Sequence, residues 1–90
     1  MEKSFLKACQ LAVQSAEGLG VRIRPITLES AHRCLSSHKL SDGFSRLAEL
    51  GHLELSLEAI AVRKDFTGLF SDEEANEALA RLLEAGYRFS

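Results

Sequence analysis

The chain is poor in the residues that most often mark a site: in 90 residues it has no tryptophan, one tyrosine, one proline, one methionine and two cysteines. Cys9 and Cys34 form neither a Cys-x-x-Cys pair nor a disulfide framework of the kind that staples small secreted domains. The start, MEKSFLKACQ, places Glu2, Lys3 and Lys7 where a secretory signal needs an apolar run, so a reducing, cytoplasmic setting is the expectation. Long apolar runs are missing as well. The longest, residues 59–62, is four residues, against the roughly 20 a helix needs to cross a bilayer, so no membrane span is expected. The six glycines are scattered rather than gathered into a phosphate-cradling loop.

What is present favours one folded unit. Hydrophobic residues make up 46% and charged residues 27%, with both signs mixed, which is far from the composition of disordered chains. No linker, charge run or low-complexity segment divides the chain, so residues 1–90 read as a single small helical domain. The net charge of −2 gives no global attraction to nucleic acid, but the charge is uneven. Residues 65–90 carry two arginines and six acids, whereas residues 22–46 hold Arg22, Arg24, Arg33, Lys39 and Arg46 against Glu29 and Asp42, with His32 and His38 among them. Those five cations are the candidate contacts for a partner or for phosphate.

Periodicity assigns the elements. Phe5, Leu6, Cys9, Ala12, Val13 and Ala16 recur at three and four, which predicts a helix over 4–17 stopped by Gly18 and Gly20. Val21, Ile23 and Ile26 then alternate with arginines in a short extended segment near residues 21–26, an edge strand at most because Pro25 lacks a donor. Thr27 is placed to cap a helix running to about Ser37 with Leu28, Ala31 and Leu35 inward. Ser41 is placed to cap another, with Phe44, Leu47 and Ala48 inward and Gly51 as its stop.

Residues 53–62 fit two patterns. Leu53, Leu55 and Leu57 alternate like a strand, while Leu57, Ile60 and Ala61 fit a helix capped by Ser56, which the alanines and Glu58 favour. In the last helix Ser71 and Glu74 form a capping box, and Asp72 and Glu73 complement the dipole. Ala75, Ala78, Leu79, Leu82 and Leu83 make the stripe, Glu77 and Arg81 are spaced to pair, and Gly86 ends it, turning Tyr87 back toward Leu82. Phe66, Leu69 and Phe70 are expected to plug the core beneath it. The fold class is mainly α, a bundle of four to five short helices with the extended segment, or a winged-helix-like α+β fold if 53–62 is a hairpin.

The echo of RLAELG (46–51) in RLLEAG (81–86) matches what a helix end with a glycine stop looks like and does not require duplication.

Chemistry-bearing residues are sparse. Cys34 and His38 share a helix face at i and i+4, the minimum for an activated nucleophile. No orienting acid or oxyanion donor accompanies them, so a packing thiol is the favoured reading. Cys9, His32, Cys34 and His38 are four soft ligands without metal-binding spacing, and His32 and Cys34 point to different faces. His52 is expected at the end of the preceding helix. Asp72, Glu73, Glu74 and Glu77 are acids in the first turns of a helix, where the dipole favours them. No catalytic residue, cofactor or metal is expected.

Residues 26–56, a capped helix, a turn, a second capped helix, a glycine and an alternating segment, resemble the second and third helices of a winged helix or related helix-turn-helix module. The resemblance implies that residues 41–50 enter the major groove with Asp42, Ser45, Arg46 and Glu49 outward, while Arg22, Arg24, Arg33 and Lys39 contact phosphates. Two acids among four suit a groove poorly. The expectation is therefore a small non-enzymatic protein-protein interaction or regulatory module (an adaptor, inhibitor or subunit) that binds another protein or itself as a homodimer, with DNA binding as the alternative.

Overall fold

The computed structural model describes residues 2–37, 39–66 and 68–87. Among the described residues five α-helices follow in order: α1 (Glu2–Gly18), α2 (Leu28–Ser36), α3 (Phe44–Leu50), α4 (Leu57–Ala61) and α5 (Asp72–Glu84), with single 3₁₀ turns at Leu53–Leu55 and Lys64–Phe66. The chain is mainly helical, and no strand occurs among the described residues.

Local chemistry accounts for the ends. Thr27 and Ser30 exchange side-chain and backbone hydrogen bonds at 2.9 and 3.0 Å, a capping box at the start of α2. Ser71 and Glu74 do the same for α5, and Ser56 accepts from the Ala59 amide to open α4. Three helices stop alike. The amides of Val21, His52 and Tyr87 reach back to the carbonyls of Ala16, Leu47 and Leu82 at 2.9, 2.8 and 2.9 Å, with a left-handed glycine just before each.

One expected cap is replaced. Ser41 does not cap α3: its N-cap is Gly43, at φ 75°, without a side-chain cap bond, and the Ser41 hydroxyl turns to Glu58 instead. The conformation at Gly43 is required by packing as well, since a Cβ there would lie 2.7 Å from Val21 Cγ1 and 3.2 Å from Ile23 Cγ1.

α4 is central, and all five of its residues are buried. Leu57, Ile60 and Ala61 join Phe5, Cys9, Ala12, Ala31, Leu35 and Ala78 in one cluster, while Ala59 joins Ala16, Val21, Ile23, Phe44, Leu47 and Leu82 in another. A helix buried all round has no single-face period, which is why residues 53–62 also fit a strand. The alternative hairpin does not form. Phe66 and Phe70 plug the first cluster edge-on against Phe5, with ring centroids at 5.4 and 5.3 Å, and Tyr87 packs on the second, which contains Leu82.

Burial along residues 21–26 keeps the expected period of two, with Val21 and Ile23 inside and Arg22 and Arg24 outside, yet the segment pairs with nothing as a strand. The last helix differs from its expected stripe at one position. Ala78 and Leu82 are buried but Leu83 is 62% exposed, and Arg81 takes an inward place at 5%.

Candidate functional site

Beneath the surface lies one buried polar network. Glu58, fully buried on α4, accepts hydrogen bonds from the Ser41 amide at 3.1 Å, the Ser41 hydroxyl at 2.5 Å and Arg81 Nη1 at 3.1 Å. Arg81 donates from Nε to Glu77 at 2.7 Å and from Nη2 to the carbonyls of Cys34 and Ser37 at 3.1 and 2.7 Å. Those two carbonyls are at the C-terminal end of α2, where the Cys34 carbonyl also accepts from the amide and hydroxyl of Ser37. One guanidinium thus caps α2, neutralises a buried carboxylate and, through Glu58, holds Ser41. Burial works against the charge on Arg81, but the hydrogen bonds to Glu77 and Glu58 outweigh it and raise its proton affinity.

Over this network a groove of about 570 Å³ opens between residues 23–26, α2 and residues 39–42. Ile23, Pro25, Ile26 and Leu57 supply apolar lining, and Leu40 lies beside them 48% exposed. Arg24, Arg33 and Lys39 stand among its walls. Arg24 makes a two-pronged contact with Asp42 at 2.8 and 3.1 Å, which raises its proton affinity and lowers that of the Asp42 carboxyl. This pair ties the extended segment to the loop across the groove. Arg33 meets Glu29 at 3.3 Å in a pair exposed on both sides, which binds the side chain only weakly. Lys39 has no carboxylate partner among the described residues. An incoming anion would therefore meet Arg33 and Lys39.

Three of the five nominated cations are thus brought together. Arg22 is exposed and does not line this groove. Arg46 lies on α3, paired with Glu49 at 3.1 Å, and Ser45 and Glu49 are exposed as expected of that helix.

Cys34 also lines the groove, with Sγ 3.8 Å from the Lys39 carbonyl and 3.7 Å from Arg81 Nη1. Burial pushes its pKa up despite the opposing guanidinium, and burial pushes Cys9 to about 12; both thiols stay protonated at neutral pH. The expected Cys34 and His38 pair involves a residue outside the described ones. No cluster of three potential metal ligands occurs among the described residues. His32 is engaged elsewhere, with Nδ1 2.6 Å from Glu74 and its ring 5.0 Å from Phe70. His52 sits at the end of α3, its amide on the Leu47 carbonyl and its ring on Glu54 at 2.9 Å.

Sequence reading missed Glu58, Arg81 and the inward turn of Ser41. A signal existed: Glu58 interrupts LEAIA and Arg81 interrupts ALARLL, charged residues flanked by apolar ones on both sides, a context that favours pairing when buried. Comparison of the chain with protein-family models, with curated proteins and with solved structures finds no match.

Proposed function

We propose that this chain is a non-enzymatic interaction module that receives an acidic, partly apolar segment of a protein partner in the groove between residues 23–26, α2 and residues 39–42. The observation that carries this reading is the convergence of Arg24, Arg33 and Lys39 on one apolar-floored groove. Carboxylates of the partner would meet Arg33 and Lys39, while an apolar side chain would cover Leu40 and the floor, the division between polar rim and apolar centre found in protein interfaces. The buried network has a supporting part, because it holds Ser41 and the end of α2 and with them two walls of the groove.

The test is a photo-crosslinking residue at Leu40, compared in source cells with the same residue at Leu50, which is exposed on α3. The expected result is a discrete protein adduct from position 40, absent from position 50 and lost with Arg33→Glu/Lys39→Glu. No position-specific adduct contradicts the proposal. A salt-sensitive duplex DNA complex that needs Arg33 and Lys39, without a protein adduct, would transfer the face to nucleic acid.

A further inference from the structure

On the other side of Pro25 and Ile26 lies a second groove, of about 620 Å³, between α1 and residues 25–27. Leu6, Val13, Pro25 and Ile26 line it, with Lys3 and Lys7 toward one end and Gln10 and Gln14 farther along α1. Positions 3, 7, 10 and 14 form a helical stripe flanking the inward one of Phe5, Cys9, Ala12 and Ala16, so they border the groove instead of closing it. Lys3 and Lys7 are exposed, and neither has an ion-pair partner among the described residues.

The complementary surface is on the same chain. Glu73, Asn76, Ala80, Leu83 and Glu84 are all exposed on α5, and Leu83, at 62%, is the most exposed large hydrophobic residue described. The inward acids of this helix are engaged, Glu74 by His32 and Glu77 by Arg81, whereas Glu73 and Glu84 have no ion-pair partner among the described residues. The lengths agree: eleven residues separate Lys3 from Gln14 and Glu73 from Glu84, a helical rise of about 16 Å in each case.

We infer that the groove beside α1 seats α5 of a second copy of this chain. Antiparallel placement puts Glu84 beside Lys3 and Lys7, Leu83 on Leu6 and Ile26, and Asn76 against Gln10 and Gln14. It also brings the negative end of the α5 dipole to the positive end of α1. The two surfaces differ, so the contact is heterologous and repeats head to tail. It shares the wall of Pro25 and Ile26 with the groove of the proposed partner, but its charged contacts, Lys3 and Lys7, line only this groove, so the two readings are broken by different variants.

Sedimentation from micromolar to millimolar concentration tests it. The weight-average mass of the unaltered chain is expected to climb with concentration and to fall with added salt. Lys3→Glu/Lys7→Glu and Leu83→Asp/Glu84→Gln, all at exposed positions, should each remain monomeric with unchanged helicity. An equimolar mixture of the two should stop at a one-to-one pair, because it retains one intact groove and one intact helix. An unaltered chain that stays monomeric at millimolar concentration overturns the inference while leaving the Leu40 adduct untouched. Either variant associating like the unaltered chain overturns it too.

Discussion

Arg81 Nη1 lies 3.1 Å from Glu58 Oε2, and the two side chains are 5% and 0% exposed. Removing one partner from a buried pair leaves an uncompensated charge, so Arg81→Met is expected to cost about 3–5 kcal/mol in urea unfolding. Arg81→Met/Glu58→Leu should recover part of that loss, because an apolar pair leaves no stranded carboxylate. A double variant no more stable than the single one would show that the carbonyls of Cys34 and Ser37 and the Ser41 donors, all left without partners, matter more than the stranded carboxylate.

Two glycines with nearly the same backbone give a paired test. Gly43 and Gly51 have φ of 75° and 74°, yet a Cβ meets Val21 at 2.7 Å at the first and nothing within 4 Å at the second. Gly51→Ala is expected to cost about 1 kcal/mol from left-handed strain alone, and Gly43→Ala about 2–4 kcal/mol because the extended segment must also move. Equal midpoint shifts in denaturation would contradict the close packing of residues 21–23 on the loop.

Acid should weaken the fold through two carboxylates. The Arg24 guanidinium holds Asp42 below its ordinary value. Burial pushes Glu74 up, but hydrogen bonds from Ser71 and His32 outweigh it, and its pKa is lowered as well. Groups with depressed folded pKa contribute stability above their unfolded value of about 4 and lose it as pH falls through the folded value. Denaturation midpoints measured from pH 6 down to pH 2 should therefore drop below about 4, with a shallower drop in Asp42→Asn/Glu74→Gln. An unchanged slope in the double variant would contradict this assignment.

Alkali should act through a thiol. Cys9, 1% exposed, has its pKa raised from 9.0 to about 12. The neutral form is favoured in the fold, so its contribution is present below 9.0 and lost as pH rises toward about 12. At neutral pH a thiol reagent should modify Cys34 more slowly than free cysteine, and Cys9 only on unfolding. Native-state modification of Cys9 at the rate of Cys34 would contradict its burial.

Much of this fold is legible because much of it is local. Caps at Thr27, Ser56 and Ser71 and stops at Gly20, Gly51 and Gly86 depend on residues three to five apart, and those readings agree with the structure. What depends on distant residues was not legible. Ser41 has the local signature of a cap, but a carboxylate 17 residues away takes its hydroxyl. Apolarity alone places Leu83 inward, but at 100° per residue it lies about 120° from the midpoint of Ala78 and Leu82, whereas Arg81 lies only about 80° away. Arg81 can occupy that inward place because Glu58 and two carbonyls satisfy it there.

The candidate groove was legible only as a list of cations. Arg22, Arg24, Arg33, Lys39 and Arg46 look alike in sequence, and three of them converge because residues 23–26 run past the end of α2 and the Arg24 to Asp42 pair spans the gap.

The Glu58 and Arg81 pair, by holding Ser41, keeps the wall of the groove in place. Hydrogen exchange at the Ser41 amide tests it most directly, because this loop N–H donates to a buried carboxylate and to no backbone carbonyl. Strong protection in the unaltered chain, lost selectively in Arg81→Met while the amides of α1 stay protected, is the expected result. Exchange of the Ser41 amide in the unaltered chain as fast as in an open loop would contradict it.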